Sequence, residues 1–270
     1  MDTNEEQRLL LLKESIQNEA IYFEHFKPLL TDKFLLHFIR GRKQRVDVAF
    51  ETLKKYVHIR GDKYADLFQD LLPSAVKIKH DAVRMLRYPG PNGQAILVTR
   101  VSWWPSVYLP QYDDLGWDEI IPKLIHAVDG VLGWKDAETM GFELIIDLDG
   151  FNLKYLRRLL GIQPLIKLIN IFFKAVPLRF GKVHMLNVPI CFNIWLAMAK
   201  QVDFAGILRR FFMHDGKMGS LHSHLPQNIL PTLFNGHLSL EDALDDEFAQ
   251  HVLNNEDFYY TLQQCIKQKM

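Results

Sequence analysis

The sequence has little of what marks secreted, nucleic-acid-binding or membrane-spanning proteins. It contains only two cysteines, Cys191 and Cys265, too few for a disulfide framework, and this favours a reducing compartment. Lys and Arg number 32, as do Asp and Glu, so we expect no nucleic-acid partner and look for basic sites only as local patches. Residues 1–8 contain no basic segment leading into an apolar run, so we expect no signal peptide. These absences predict a cytoplasmic protein.

Signatures of catalysis are also missing. The chain has no Gly-x-Ser-x-Gly elbow and no glycine-rich phosphate loop. Asp147 and Asp149 are two residues apart on a predicted strand and could do acid–base chemistry, but no nucleophile accompanies them. The histidines within residues 214–237 lack the acid or Cys-x-x-Cys partners of a metal site. We therefore predict a protein that is not an enzyme and that holds neither a metal nor a cofactor.

One continuous apolar stretch lies between Pro189 and Lys200, where Asn193 is the only polar residue. Pro189 suits the first turn of a helix, where its missing N–H is not needed. A dozen helical residues span roughly 18 Å, against about 30 Å for the hydrocarbon core of a bilayer. The segment is therefore too short to cross a membrane. Two interpretations remain open: a buried core helix, or a movable lid over an apolar ligand that can touch a membrane.

The first quarter of the chain, residues 5–72, has helical spacing of apolar residues. Thr31 can cap a helix over residues 33–42, and Asp47 can cap the next one. After residue 73, strands alternate with helices, which predicts an α/β domain with a mixed, partly parallel sheet. We thus expect a helical module at 5–72, an α/β domain at 73–238 and a helical tail at 239–270, with an acidic helix over residues 241–247. The predicted strands cover 81–88, 94–101, 142–149 and 183–186, and the helices between them cover 113–132 and 165–173.

Several motifs occur in a fixed order along the chain. The first two are Phe34-Leu-Leu-His-Phe-Ile-Arg-Gly-Arg-Lys43 and the apolar run after Val46; later come Val183-His-Met-Leu-Asn187, Leu225-Pro-Gln-Asn-Ile-Leu-Pro231 and Phe234-Asn-Gly236. In this order they resemble the CRAL-TRIO lipid-binding family over roughly residues 5–240. Ile59 and Asn235 depart from the family pattern, in place of Trp and Gly. The resemblance implies an N-terminal helical module followed by an α/β lipid-binding domain, in which a helical gate covers an apolar cavity.

The resemblance also implies a function. Such a protein would bind one small hydrophobic ligand, such as a tocopherol, a retinoid or a similar isoprenoid lipid, and exchange it at phosphoinositide-containing membranes. Leu124 and Val128 stand where tocopherol-carrying members have serines, which favours another apolar ligand such as a retinoid. Helical geometry directs Phe192 and Leu196 inward. The expected cavity lining is Leu124, Val128, Leu168, Ile171, Phe172, Val176, Leu178, Phe192 and Leu196.

Two surface sites follow from the same resemblance. Arg suits a phosphate headgroup because its planar fork donates two hydrogen bonds at once. The expected phosphoinositide site is Arg42, Arg179, Lys182, Arg209 and Arg210. The expected membrane-facing side of the gate is Cys191, Trp195 and Met198, with Leu153 and Leu156 as the other half of the patch. We expect a monomer that associates transiently with membranes; the alternative is a phosphoinositide-binding trafficking or signalling adaptor without soluble cargo.

Overall fold

A computed structural model describes residues 3–74, 82–104, 117–134, 141–151, 162–201, 205–214, 216 and 218–269. The chain begins with a helical module, as predicted. Its elements are α1 (Thr3–Asn18), α2 (Ala20–Phe23), a 3-10 turn (Glu24–Leu29), α3 (Asp32–Gly41), α4 (Val46–His58), a π-helical turn (Ile59–Lys63) and α5 (Ala65–Phe68).

Capping and aromatic packing hold this module together. The Thr31 hydroxyl accepts a hydrogen bond from the Phe34 N–H at 3.3 Å, so the predicted cap of α3 is confirmed. The predicted Asp47 cap is wrong, because α4 begins at Val46 and no side chain caps it. Phe34 and Tyr56 pack edge to face at 5.4 Å between ring centres, which joins α3 to α4.

A five-stranded mixed sheet forms the second part of the chain. Its strands follow the sequence order, the first pair antiparallel and the other pairs parallel. The strands are β1 (Val83–Met85), β2 (Ala95–Arg100), β3 (Phe142–Asp147), β4 (Phe180–Leu186) and β5 (Phe211–Met213). In the described parts of the connections between the parallel strands, the helices are α6 (Trp117–Val131), α7 (Ile162–Ile169) with a π-helical turn (Asn170–Ala175), α8 (Phe192–Gln201) and α9 (Ala205–Leu208).

The strand order decides which face each connection covers. Parallel strands in sequential order, joined by right-handed crossovers, carry their helices on the same face of the sheet. The helices α6, α7 and α8 therefore share one face. The opposite face packs against α10 (Gly219–His222), two 3-10 turns (Gln227–Ile229, Thr232–Phe234) and α11 (Leu240–Ala243). The core on that side is Leu86, Ile96, Val98, Ile145, Leu186, Met218, Leu221, Leu225, Ile229, Leu230, Phe234, Ala243 and Leu244.

The turn at Asn235 explains a departure from the expected motif. Asn235 has φ 54°, in the left-handed region that glycine favours and asparagine tolerates. A Cβ on Gly236 would lie 2.1 Å from the carbonyl oxygen of Leu230. The second position therefore requires glycine, whereas the first accepts Asn.

The tail ends in α12 (Asp246–Leu253) and α13 (Glu256–Lys269). The single acidic helix expected over residues 241–247 is wrong, because the chain is extended at Leu244, which bridges to Leu86 beside the sheet. The Asp245 carboxylate then accepts the Phe248 N–H at 3.0 Å and caps α12. The acids are thus divided between two short helices, α11, which the Ser239 hydroxyl caps, and α12, which Asp245 caps, instead of forming one exposed face.

Three segments of the chain meet at one buried ion pair. The Arg60 guanidinium donates to both carboxylate oxygens of Asp129 in α6, each at 2.7 Å. The Tyr259 hydroxyl of α13 donates to the same carboxylate at 2.8 Å. Arg60 also lies over the rings of Tyr56 and Phe68, at 4.2 and 4.7 Å. The helical module, the sheet domain and the tail are therefore locked together at a single point.

Candidate functional site

An apolar cavity of about 150 Å³ lies between the sheet and the helices α6, α7, α8 and α9. The sheet and the helices on one of its faces contribute to the wall. The lining residues are Thr99, Trp104, Leu124, Val128, Phe142, Leu144, Ile146, Leu148, Phe151, Leu168, Ile169, Phe172, Phe173, Phe180, Val183, Met185, Phe192, Ile207, Leu208 and Phe211.

Strand alternation supplies the floor of the cavity. Successive side chains of a strand point to opposite faces, so Phe142, Leu144 and Ile146 of β3 reach the cavity while Glu143 and Asp147 point away. In this way a strand that carries two carboxylates presents only hydrocarbon to the interior.

A β-bulge does the same for β4. Phe142 pairs with Phe180 but Leu144 pairs with Val183, so two residues of β4 oppose a single residue of β3. In a regular strand, Phe180 and Val183 would lie on opposite faces because they are three positions apart. The extra residue shifts the alternation, so both side chains line the cavity. Without the bulge, Lys182 would share the face of Phe180.

The described wall presents no polar atom to the cavity. Thr99 carries the hydroxyl nearest to it, and that hydroxyl is already engaged. It donates to the carbonyl of Ala82 at 2.7 Å and accepts the indole N–H of Trp104 at 3.0 Å. The arrangement suits an apolar ligand, because a hydrocarbon needs no partner whereas a polar group would lose its hydrogen bonds with water.

The cavity brings together five of the nine residues that the sequence predicted for it. The other four are buried elsewhere. Ile171, Val176 and Leu178 pack in the core shared with the helical module, and Leu196 packs against the core beneath α8. The first three pack toward the helical module, whereas Leu196 packs among residues of the wall without lining the cavity itself. The predicted residues that line the cavity are Leu124, Val128, Leu168, Phe172 and Phe192.

The gate helix α8 has a buried and an exposed side. Phe192 and Leu196 are 4% and 8% exposed, whereas Ile190, just before α8, and Ile194 are 89% and 52% exposed. Cys191 is half-buried between the two sides. Among the described residues, no helix has both the length and the apolar character that crossing a bilayer requires. The remaining predicted gate positions lie outside what the structure describes: Leu153 and Leu156 entirely, and Trp195 and Met198 in their side chains.

The predicted phosphoinositide residues do not form one open cluster. Arg42 is half-buried and donates to the Thr52 hydroxyl at 2.9 Å and to the carbonyls of Val176 and Leu178 at 2.7 and 3.2 Å. Burial lowers the pKa of Arg42. This guanidinium therefore fastens the helical module to the sheet domain, a structural role that the sequence did not predict.

The other basic residues differ in exposure. Arg179 is half-buried and contacts the Arg40 carbonyl at 3.4 Å. Arg209 and Arg210 are exposed, at the end of α9 beside the cavity, and Arg210 also donates to the carbonyl of Phe180. Of the five predicted residues, these last two present the most accessible positive charge.

Lys182 lies on the opposite face of the sheet, in a polar cluster. Its ammonium is 2.9 Å from His224 Nδ1. His184 is 2.9 Å from His214 and 3.2 Å from Glu143. Burial, the largest influence, raises the pKa of Glu143, but the hydrogen bonds and charges of His184, Gln94 and Lys182 together outweigh it and the net pKa is lowered. The described part of the chain contains no group of side chains able to hold a metal ion.

Asp147 and Asp149 form a structural network. Arg100 donates to Asp147 at 2.7 Å and to Asp149 at 2.8 Å. Asn187 also donates to Asp147, at 2.8 Å. The paired carboxylates thus fix the ends of β2, β3 and β4.

The strands and Trp104 also line the cavity, although none of their residues was predicted from the sequence. Alternation within residues 142–147 was a usable signal, because it separates Phe142, Leu144 and Ile146 from the acids between them. No local signal could have identified Phe180, since its orientation depends on the bulge opposite β3.

The proteins to which this chain is similar agree with the geometry of the cavity and of the fold. The family model for the CRAL/TRIO domain matches residues 83–236. The chain belongs to this family. It is 29% identical over 230 residues to the alpha-tocopherol transfer protein-like protein of Mus musculus, covering 83% of this chain and 63% of that one. The human protein of the same name is 28% identical, covering 89% and 72%.

The chain is also similar to two further proteins. Human clavesin-2 is 26% identical over 244 residues, covering 84% of this chain and 71% of the relative. The crystal structure of Sfh5 superposes with a TM-score of 0.57 at 15% identity, covering 95% of this chain and 98% of Sfh5. The structural likeness establishes the CRAL-TRIO fold, and the family membership supports lipid binding as the general function.

Proposed function

We propose that this protein is an intracellular, non-catalytic lipid-transfer protein that binds one small hydrophobic ligand and exchanges it at phosphoinositide-containing membranes. The observation that carries the proposal is the apolar cavity beneath α8, in a chain of the CRAL/TRIO family. Relatives named for tocopherol transfer point to the same class of cargo. The protein would act as a cytoplasmic monomer.

Hydrophobic burial supplies the affinity. Each Å² of apolar surface removed from water contributes roughly 25 cal/mol, so a ligand that hides about 300 Å² gains several kcal/mol before the costs of ordering. The cavity of about 150 Å³ is smaller than the roughly 300 Å³ at which ordinary ligand sites begin. The wall must therefore widen when a retinoid-sized ligand enters, and we expect α8 and α9 to move, since both carry exposed residues on the side away from the cavity.

The outer side of the gate suits a membrane. Ile190 and Ile194 expose apolar surface beside the cavity, where an exposed apolar patch normally marks a contact site. Trp195 and Met198 belong to the same proposed patch, since an indole favours the water–lipid interface. Contact with lipid would offset the cost of moving α8 and would expose the cavity to the bilayer instead of to water.

Ligand binding is tested by titration of retinoids, tocopherols and sterols. Trp104 lines the cavity, so its fluorescence should report binding directly. Val128→Trp should abolish the signal because the larger side chain occupies the cavity, while circular dichroism should show the fold intact. A wild-type protein that gives no saturable signal with any of these lipids would contradict the carrier function.

Membrane contact is tested by vesicle-to-vesicle transfer. Ile190→Asp combined with Ile194→Asp should slow transfer in stopped-flow measurements, because charge opposes entry into the bilayer, while ligand binding in solution should barely change. Leu10→Asp is the matched control, since Leu10 is 66% exposed on α1 and away from the gate. If both variants slow transfer equally, the gate is not the contact surface.

The basic site is tested by measuring the binding of the protein to liposomes. Arg209→Ala with Arg210→Ala should weaken binding to phosphoinositide liposomes and reduce its salt dependence, because exposed phosphate contacts are screened. Lys55→Ala with Lys267→Ala removes the same charge from other exposed positions and should have little effect. Strong liposome binding without any extractable or titratable lipid would instead identify the chain as a phosphoinositide-binding adaptor.

A further inference from the structure

The described cavity wall has no hydrogen-bond donor to offer. On β3 and β4, alternation and the bulge direct Glu143, Lys182 and His184 to the opposite face, where they bond to one another or to His214 and His224. The strands therefore carry several polar groups, and all of these are kept out of the cavity by backbone geometry.

The two polar side chains of the described wall are both already hydrogen-bonded. The indole N–H of Trp104 donates to the Thr99 hydroxyl, and that hydroxyl donates its proton to the carbonyl of Ala82. A hydroxyl has one proton to donate, so a carbonyl or carboxylate on a ligand would find no donor here. A ligand hydroxyl could donate only to the remaining lone pair of the Thr99 oxygen, which already takes part in two hydrogen bonds.

At α9 the described wall of the cavity comes close to exposed surface, since its lining residues there are only half-buried. Ile207 and Leu208 line it, and their neighbours Gly206, Arg209 and Arg210 are exposed. A polar end of a ligand that lies toward α9 can keep its hydrogen bonds with water, whereas a polar group at the sheet end cannot.

We propose that the cavity selects a lipid because the described part of its wall offers no free hydrogen-bond donor at the sheet end: the lipid has a hydrocarbon skeleton with at most one polar group, which lies toward α9. This inference rests on the proposed carrier function and narrows it. A buried polar group without a partner pays its full desolvation cost, so a second polar group at the inner end is excluded by energy, not by size.

Three rigid retinoids of the same skeleton test the inference. Axerophthene has no polar group, all-trans-retinol has one at the chain end, and 4-hydroxyretinol adds a second on the ring. Quenching of Trp104 should give similar affinities for the first two and an affinity about tenfold to a hundredfold weaker for the third.

A matched pair of variants supplies the positive test. Val128→Ser places a hydroxyl in the wall, whereas Val128→Ala makes a similar space without one. The serine variant should narrow the ratio between retinol and 4-hydroxyretinol at least threefold more than the alanine variant does. Circular dichroism and a thermal melt should confirm that both variants are folded; if Val128→Ser does not fold, the wild-type ratio decides alone.

The outcomes separate this inference from the carrier function. Equal binding of all three retinoids to the wild type would overturn the selection against polar groups and leave the carrier function standing. Saturable binding by none of them would overturn both. Equal narrowing by Val128→Ser and Val128→Ala would show that space, and not the missing donor, sets the preference.

Discussion

Removal of Arg60 should destabilise the whole protein, because its partner would remain buried without a counter-charge. The side chains of Arg60 and Asp129 are each 2% exposed and join through two bonds of 2.7 Å. Truncation of one partner of such a pair typically costs about 3–5 kcal/mol. Arg60→Met should cost about that much, out of about 5–15 kcal/mol for an ordinary domain. The Tm should fall by roughly 6–20 °C in a chain of this size.

The assay is urea unfolding, followed by circular dichroism and by tryptophan fluorescence. Arg60→Met combined with Asp129→Leu should recover part of the loss, since no charge is then left unpaired. Lys27→Ala is the surface control: it removes an exposed pair with Glu24 and should cost under about 1 kcal/mol. Tyr259 of α13 also bonds to Asp129. In the wild type, circular dichroism and fluorescence should therefore report one shared unfolding transition for the helical module, the sheet domain and the tail.

Two results would refute this reasoning. If Arg60→Met costs no more than the surface control, the ion pair does not contribute as its burial implies. If the double variant is less stable than Arg60→Met alone, the loss comes from packing over Tyr56 and Phe68 and not from the orphaned carboxylate.

The remaining predictions concern a close contact and an acid-sensitive group. Gly41→Ala should cost at least about 1–3 kcal/mol in urea unfolding, because a Cβ would lie 1.6 Å from the Pro177 carbonyl oxygen; Gly206→Ala, which meets nothing within 4 Å, should be neutral or slightly stabilising. Burial lowers the pKa of His126 despite its bond to the Leu71 carbonyl, so the unfolded chain takes up a proton that the folded state resists. Stability should therefore fall as the pH drops below about 6.5, and His126→Gln should reduce the difference in unfolding free energy between pH 7.5 and pH 5.5. An unchanged pH slope in that variant would assign the acid sensitivity to other groups.

The sequence by itself determined the order and type of the main elements. Period and capping predicted the N-terminal helices and the Thr31 cap, and alternating strands and helices predicted a mixed α/β sheet. These features are local, since a helix period or a cap depends on residues within a turn or two. The ordered motifs also predicted membership of the CRAL-TRIO family, and the match to the family model confirms that prediction.

Only the tertiary structure decided which side chains meet. Arg42 has a side chain suited to binding phosphate, yet it donates its hydrogen bonds to the carbonyls of Val176 and Leu178, which are distant in sequence. By simple alternation Lys182 would share the face of the wall residue Phe180, but it lies on the other face because a single bulged residue shifts the alternation of β4. Face, register and hydrogen-bond partner are set by segments more than a hundred residues apart or by a neighbouring strand, and no local pattern encodes them.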